Sequence, residues 1–256
     1  MGTEEKIEHL ERKLDKKRIR KKRSEDESTI EGTFDTATIM ILYELINKHI
    51  LDHLGGVIST GKEANVYTGY GENGEKYAVK IYRIKTADIN FMKQYILGDP
   101  RFKRVRKKTH DLVYTWAEKE FKNLKRAHSA GVRVPNPIHV KKNILVMEFI
   151  GDGDKPAPRL KDSPPEKPQL LFDKIYSFMK KLYQKARLVH ADLSEYNILM
   201  CNGPVIIDIS QAVTLEHPNA EDLLIRDIQN ILKYFKQFPG IKLPSLKNAL
   251  KEITKV

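Results

Sequence analysis

Residues 188–210 constrain the fold more than any other stretch, because they place a polar loop directly before an apolar hairpin. The loop contains Asp192 and Asn197, and the apolar run that follows a turn at 202–204 ends on Asp208. In phosphoryl transfer, one carboxylate orients or deprotonates the attacking hydroxyl, while an amide oxygen and a second carboxylate hold Mg²⁺ against the triphosphate. The spacing therefore predicts a phosphoryl-transfer site rather than an ordinary polar loop.

Composition limits the classes of protein to which this chain can belong. Its 256 residues are enough to bury a core in one domain or two small lobes. The apolar runs are too short to span a bilayer and the charged N-terminus is no signal peptide, so we expect no contact with a membrane. The single cysteine, Cys201, excludes a disulfide framework and favours a reducing, cytoplasmic environment. The net charge of +12 favours a polyanionic partner such as RNA.

The first 54 residues are predicted to form a basic, helical extension. A run of Lys and Arg at 16–23 is typical of a solvated helix or a disordered tail, or alternatively of an arm that binds nucleic acid. Apolar residues including Ile39, Leu42, Leu45 and Ile50 follow helical spacing and predict a packed amphipathic helix over 36–51. Few Lys or Arg lie on its exposed face, which disfavours a recognition helix.

The stretch 57–82 predicts three strands with a candidate phosphate loop near its start. Aligned with the kinase pattern G-x-G-x-x-G-x-V, the chain has Ser59, Gly61 and Ala64 at the glycine positions and Val66 in register. One glycine of three is a weak match, but backbone N–H groups of such a loop can still approach phosphates. The candidate nucleotide-binding residues of this loop are Ser59, Thr60, Gly61, Lys62, Ala64 and Val66.

The third strand carries a charge that requires a partner. Lys80 interrupts an otherwise apolar run, and a lysine there costs desolvation energy unless it meets an anion. The α- and β-phosphates of ATP and a glutamate from a helix would supply the negative charge. A helix is predicted over 116–130, and Glu120 lies on its inward-facing side. We therefore favour Glu120 as the partner of Lys80 over the alternative, Glu118.

Three other segments have two interpretations each. The long basic connection over 83–111 is either a solvated, partly helical insertion or a segment that contacts a polyanion or gates the nucleotide. The strand over 143–150 lies where the hinge of a two-lobed nucleotide-binding enzyme would fall. Backbone groups near Met147, Glu148 and Ile150 would then contact adenine, although an ordinary buried strand fits as well. Asp227, in a helix predicted over 220–238, is interpreted as a structural hydrogen-bonding residue rather than a catalytic one.

Taken together, these motifs resemble the RIO family of atypical serine/threonine protein kinases. The segments that carry the resemblance are STGKEANVY, YAVKIY, WAEKEFKNL, MEFI, HADLSEYNIL and IDIS. They lie within residues 55–235 and are most similar to the first subfamily, because no N-terminal winged helix is evident. The resemblance implies an α+β, bilobal protein-kinase-like fold with a truncated C-lobe and an N-terminal helical extension. The expected divisions are the extension at 1–54, the N-lobe at 55–150 with a flexible insertion at 83–111, and the C-lobe at 151–256.

The resemblance also implies roles for individual residues. Lys80 would bind phosphates and pair with Glu120, and the loop at 59–64 would cover ATP. Asp192 would be the catalytic aspartate, while Asn197 and Asp208 would hold Mg²⁺ or Mn²⁺. Within the family, phosphate can also pass to the metal-binding aspartate, here Asp208. The family is described as ATP-driven in maturation of the small ribosomal subunit, which implies a pre-small-subunit particle and its RNA as partners.

Departures from ordinary protein kinases keep several functions open. Ala191 replaces the arginine of H-R-D, Ser194 stands where a lysine is usual, and only 48 residues follow Asp208, without an A-P-E motif. Such a short C-terminal part is typical of an archaeal member. A Ser/Thr kinase that also phosphorylates itself and an ATPase switch both remain open. A small-molecule phosphotransferase of the aminoglycoside or choline kinase type, which shares the H-x-D-x-x-x-x-N loop, is the alternative. The presence of all the candidate catalytic residues disfavours an inactive binding module.

Overall fold

The computed structural model describes residues 34–85, 87–102 and 108–255. The basic run at 16–23 therefore lies outside the described residues. The first lobe contains a five-stranded antiparallel sheet in the order β1-β2-β3-β5-β4. Its elements are helix α1 (Thr36–Asn47), β1 (His53–Thr60), β2 (Ala64–Tyr70), β3 (Lys76–Tyr82), helix α2 (Ile89–Ile96), helix α3 (Thr109–Ser129), β4 (Pro137–Lys141) and β5 (Ile144–Glu148).

The alternation of side chains along β3 assigns the two faces of this sheet. Val79 and Ile81 pack with α1 in an apolar cluster that also includes Ile144 and Val146 of β5. Since neighbouring residues of a strand point to opposite faces, Lys80 lies on the other face, toward the second lobe. The side on which Lys80 meets its partners is thus fixed by burial of its two neighbours.

Helix α1 is shorter than predicted and packs through a slightly different face. Asp35 caps its start by accepting a hydrogen bond from Thr38 N at 2.7 Å, and the helix ends at Asn47. The buried residues are Thr38, Ile41, Leu42 and Leu45. Ile50, which follows the helix, also packs against this cluster as predicted, whereas the prediction of Ile39 on the packed face was wrong, since it is half-buried and lies outside the cluster.

The described residues of the 83–111 stretch form a packed helix and the start of another, where the sequence suggested a solvated, partly helical connection. Asp88 caps α2 by accepting from Phe91 N at 3.0 Å, and Met92 and Ile96 are fully buried in the main core. Helix α3 begins at Thr109, seven residues before the predicted start, and its longer N-terminal part packs against α2. The apolar face of α2 explains the difference: five of its eight residues are apolar or aromatic, although the stretch around them is basic, and packing of that face stabilises both helices.

The second lobe is largely helical, with three pairs of short strands. Its elements are β6 (Gly151–Asp152), β7 (Lys155–Pro156), helix α4 (Pro168–Gln184), β8 (Leu188–Val189), β9 (Ile198–Met200), β10 (Pro204–Ile206), β11 (Val213–Thr214), helix α5 (Ala220–Phe235) and helix α6 (Leu246–Thr254). Leu171, Ile175, Phe178 and Leu182 of α4 are buried, as predicted from their spacing. A helical lobe beside an antiparallel sheet confirms the α+β class. Within the described residues, no helix is both long and apolar enough to cross a membrane.

Candidate active site

Lys80 joins the two lobes through a pair of carboxylates. Its Nζ donates to Glu120 Oε1 at 3.0 Å and to Asp208 Oδ1 at 2.9 Å. Glu120 comes from α3 and is 1% exposed, while the alternative partner, Glu118, is exposed and pairs with Lys122 at 2.7 Å instead. The structure therefore pairs Lys80 with Glu120, the partner favoured from the sequence, and adds a contact with Asp208 that the sequence analysis did not predict.

The three charges influence one another strongly because Lys80 and Glu120 are buried and the carboxylate of Asp208, although about half exposed, is in direct contact with Lys80. Burial lowers the pKa of Lys80, but the charges of Asp208 and Glu120 outweigh it and raise that pKa above its usual value. Lys80 in turn holds the pKa of the Asp208 carboxyl below its usual range. Burial raises the pKa of Glu120 to about 7, against the opposing effect of Lys80. Lys80 is thus a cation at neutral pH, and Asp208 is an anion.

Asp192 and Asn197 are held together at the beginning and end of one loop. Asn197 Nδ2 donates to the Asp192 carbonyl at 2.8 Å and to Asp192 Oδ2 at 3.2 Å. The N–H of Ile207 donates to the Asn197 carbonyl at 3.0 Å and ties this loop to the strand that precedes Asp208. With its NH₂ group assigned to Asp192, the side-chain oxygen of Asn197 is directed away from the loop.

Helix α5 holds the same loop through side-chain hydrogen bonds to its backbone. Asp227 accepts from Ala191 N and from Leu193 N, each at 2.8 Å, and Asn230 Nδ2 donates to the Leu193 carbonyl at 3.1 Å. This confirms the structural role predicted for Asp227. Ala191 adopts φ 71°, a left-handed conformation that directs its N–H toward this carboxyl. Burial raises the pKa of Asp227 to about 7, although the two backbone N–H donors oppose the shift.

The turn that follows Asp208 is fixed to helix α3 by two side chains that the sequence analysis missed. Lys119 Nζ donates to the carbonyl of Ser210 at 2.9 Å and also to that of Ala212. One helical turn later, Asn123 Nδ2 donates to the carbonyls of Ile209 at 2.9 Å and Ala212 at 3.1 Å. Lys119 is fully buried, and burial lowers its pKa to about 7. The signal available in the sequence was the spacing of these two polar residues, four positions apart on the inward face of the helix.

The candidate phosphate loop is the turn between β1 and β2. Gly61 N donates to the Ala64 carbonyl at 3.0 Å, and a Cβ at Gly61 would lie 3.0 Å from that same carbonyl oxygen. The one glycine of the motif thus stands where a side chain would crowd the turn. Thr60, Gly61 and Lys62 are exposed, Ser59 and Val66 are half-buried, and Ala64 is buried.

Glu63, in the same turn, is a further acidic group that the sequence analysis did not single out. Its side chain is half-buried. Burial raises the pKa of Glu63, and the negative charge of Asp208 raises it further.

At the predicted hinge, several polar groups are already engaged. The Glu148 carboxylate binds Arg133 at 2.6 Å, its N–H donates to the Asn136 carbonyl at 2.9 Å, and the Ile150 carbonyl accepts from Ala157 N at 3.0 Å. None of these bonds uses the Glu148 carbonyl or the Ile150 N–H. Met147 is 9% exposed and belongs to the core cluster on the Lys80 side of the sheet.

The oxygen atoms at the centre of the site suit Mg²⁺. Asp208 Oδ1 accepts from Lys80 and from Ser210 Oγ at 3.2 Å, and no described residue donates to its Oδ2. That oxygen and the side-chain oxygen of Asn197 are the hard ligands that Mg²⁺ prefers, and Mg²⁺ usually combines one or two carboxylates with phosphates of the substrate. Among the described residues, no group of three His, Cys, Asp or Glu side chains could hold a metal by itself.

Comparisons with known proteins found similar sequences in one family. The family model of the RIO domain matches residues 65–246. A RIO-type serine/threonine-protein kinase Rio1 from Haloferax volcanii is 44% identical over 228 residues, which are 89% of this chain and 78% of that protein. The protein of the same name from Methanocaldococcus jannaschii is 42% identical over 233 residues, covering 89% of this chain and 79% of its own length.

A solved structure has a similar fold. The crystal structure of a complex of the Rio2 kinase with ADP, Mg²⁺ and phosphoaspartate from Chaetomium thermophilum aligns with a TM-score of 0.67 and 26% identity. The alignment covers 86% of this chain and 67% of that one. The bilobal, kinase-like architecture predicted from the sequence is thereby confirmed.

Proposed function

The chain belongs to the RIO domain family and is an atypical serine/threonine-protein kinase, and from this premise we propose how it uses its site. We propose that it binds Mg-ATP and transfers the γ-phosphate to Ser or Thr hydroxyls, including its own. We further propose that it hydrolyses ATP in a cycle linked to maturation of the small ribosomal subunit in the cytoplasm.

The observation that carries this proposal is the pair of contacts made by Lys80. Its Nζ lies 3.0 Å from Glu120 and 2.9 Å from Asp208, so the cation proposed to bind phosphates is in contact with the carboxylate proposed to bind the metal. In kinases the lysine–glutamate pair and the metal aspartate must both be in position for phosphoryl transfer. This arrangement is the one expected of a site assembled for catalysis.

We assign each residue a role on that basis. Lys80 would contact the α- and β-phosphates, Glu120 would hold Lys80 in position, and Asp192 would accept the proton of the attacking hydroxyl. Asn197 and Asp208 would hold Mg²⁺, which when bound neutralises charge on the triphosphate. The list of residues proposed to contact the nucleotide is completed by Ser59, Thr60, Gly61, Lys62, Ala64, Val66, Met147, Glu148 and Ile150. At the hinge, the Glu148 carbonyl and the Ile150 N–H are the groups proposed to recognise adenine.

Two routes for the γ-phosphate remain within this proposal. Transfer to a hydroxyl requires Asp192, whereas transfer to the Asp208 carboxylate, followed by hydrolysis, would make the chain an ATPase switch. The phosphoaspartate in the related Rio2 structure is a feature of that protein. Here the second route is supported by Asp208 itself, a charged carboxylate that Lys80 neutralises, so a phosphate can approach it.

The test follows labelled γ-phosphate from Mg-ATP in the purified chain, with and without a generic protein substrate. We expect label in acid-stable phosphoserine or phosphothreonine, together with free phosphate or a hydroxylamine-labile bond. Asp208→Asn should abolish every product, and Asp192→Asn should reduce the acid-stable one to a small residual level. Asp222→Asn, an exposed aspartate on α5, is the matched control and should leave all products unchanged. Normal product yields in Asp208→Asn would refute the assignment.

We propose that the partner is a pre-small-subunit particle contacted through its RNA. The support is the net charge of +12, because contacts to phosphates need no sequence recognition. Binding to ribosomal RNA fragments should weaken steeply with salt, with a slope of about −0.7 to −0.9 per phosphate contact. Removing residues 1–30 should weaken binding and spare ATP turnover. RNA binding that is insensitive to salt would contradict the proposal.

Two other interpretations from the sequence bear on this proposal. Membership of the RIO family disfavours the small-molecule phosphotransferase, since the relatives are named serine/threonine-protein kinases. For the lobes, we propose a boundary near residue 150, between β5 and β6. Helix α1, which belongs to the predicted extension at 1–54, packs on the sheet of the first lobe.

A further inference from the structure

Gln211, three residues after the metal-binding aspartate, contacts the catalytic aspartate directly. Its Nε2 donates to Asp192 Oδ2 at 3.1 Å. Asn197 Nδ2 donates to the same oxygen at 3.2 Å. Two amide groups from different loops thus converge on one carboxylate oxygen. Gln211 could not be singled out from the sequence, because its partner lies 19 residues away in another loop.

The backbone on either side of Gln211 is fixed, so its side chain has a defined starting point. Lys119 and Asn123 hold the carbonyls of residues 209, 210 and 212. Immediately afterwards, β11 pairs with β8, the strand that leads into the catalytic loop. The turn that carries Gln211 is therefore attached to α3 on one side and to the start of the catalytic loop on the other.

We propose that Gln211 is a positioning residue that orients Asp192 for transfer to a hydroxyl. Both amide donors bind Oδ2 and thereby hold the carboxylate in one rotamer, while Oδ1, to which no described residue donates, is left for an acceptor hydroxyl. The proposal rests on the proposed role of Asp192 as the proton acceptor. In the transfer step, the acceptor oxygen bonds to the γ-phosphorus, the bond from that phosphorus to the ADP oxygen breaks, and the hydroxyl proton goes to Asp192.

Three variants separate this role from a general effect on stability. Gln211→Ala removes the donor, and we expect kcat for transfer to hydroxyls to fall by about 10-fold to 100-fold, the usual effect of losing a hydrogen bond to a charged group. Gln211→Glu places a second carboxylate against Asp192 and should be slower still. The affinity for Mg-ATP, measured by binding, should change by less than about 2-fold in Gln211→Ala, because no nucleotide contact is removed. Gln169→Ala is the matched glutamine control: Gln169 is half-buried on α4 and hydrogen-bonded to Asp173 and Lys242, and neither aspartate of the site is among its hydrogen-bond partners in the described part of the chain.

A double-mutant cycle tests whether Gln211 acts through Asp192. If it does, Gln211→Ala should have no further effect on kcat in an Asp192→Ala background. Additive losses, or a loss of Mg-ATP affinity as large as the loss of kcat, would overturn the proposal.

A second readout does not depend on turnover. In ¹⁵N-labelled protein, the side-chain NH₂ resonances of Gln211 should shift on Asp192→Ala substitution, whereas those of Gln169 should not. If they do not move, the contact is absent and the proposal fails. If they move while no phosphate reaches any hydroxyl in the wild-type protein, the proposed kinase function fails instead.

Discussion

Replacing Asp227 by asparagine tests whether a buried, partly protonated carboxyl holds the loop that carries Asp192. In the folded protein, burial raises the pKa of Asp227 from 3.8 to about 7. Because the folded protein keeps this proton to a higher pH than the unfolded chain, the carboxyl contributes most to stability at low pH. That contribution declines as pH rises from the unfolded pKa to the folded one.

The size of the effect follows from the shift. Between about pH 5 and about pH 8, the free energy of unfolding should fall by about 3 kcal/mol through this one carboxyl, since each pKa unit corresponds to about 1.4 kcal/mol. Asparagine does not titrate and has only one acceptor oxygen for the N–H groups of Ala191 and Leu193. One buried N–H then stays unsatisfied, which costs about 1–3 kcal/mol at every pH.

We therefore expect Asp227→Asn to destabilise the chain more at the lower pH, with the two values differing by about 3 kcal/mol. Urea unfolding can be followed by fluorescence of Trp116, the single tryptophan, which is fully buried. Asp222→Asn on the same helix is the control, and its small effect should not depend on pH. Equal destabilisation by Asp227→Asn at both pH values would refute the reasoning and would mean that Asp227 is ionised throughout.

Three other substitutions have defined outcomes. Lys80→Met removes the cation between Glu120 and Asp208 and should lower kcat/KM for Mg-ATP by about 100-fold in initial-rate assays; an unchanged value would contradict its phosphate role. Lys119→Met should lower the free energy of unfolding, measured with urea, by about 3 kcal/mol more at about pH 9 than at about pH 6. The reason is that the wild type gains stability as its buried ammonium deprotonates, whereas methionine does not titrate. Ala191→Val should lower the melting temperature by more than Ala191→Gly, since a β-branched residue at positive φ costs about 1–3 kcal/mol; equal melting temperatures would show that the φ is not strained.

The parts of the fold and site that local pattern determines could be predicted from the sequence. Helix α4 buries the four residues indicated by its 3.6-residue spacing, and a lysine on an apolar strand demanded an anion that Glu120 supplies. Asp192 and Asn197 were predictable as neighbours because they belong to one short loop. Each of these inferences depends on residues close in the chain or on a charge that burial forces to find a partner.

The remainder depends on contacts between distant segments. The stretch 83–111 reads as basic and solvated, yet α2 buries Met92 and Ile96, and Gln94 accepts from His217 of the second lobe at 3.1 Å. Lys119 binds backbone carbonyls about ninety residues later in the chain. Every residue has a carbonyl, so nothing in the sequence marks which ones will be acceptors.

The attachment of the turn after Asp208 has a consequence for how such a site can be switched off. Four hydrogen bonds from Lys119 and Asn123 hold residues 209–212 to helix α3, and the same helix carries Glu120. If the turn rearranged locally to move Asp208 away from Lys80, the buried carbonyls of the turn would lose these hydrogen bonds. Each lost hydrogen bond would cost about 1–3 kcal/mol. Any inactive state should therefore displace the helix and the turn together. Hydrogen exchange should then report one common opening free energy for the amides of residues 209–212 and of α3 near Glu120, and separate values would show that the turn moves alone.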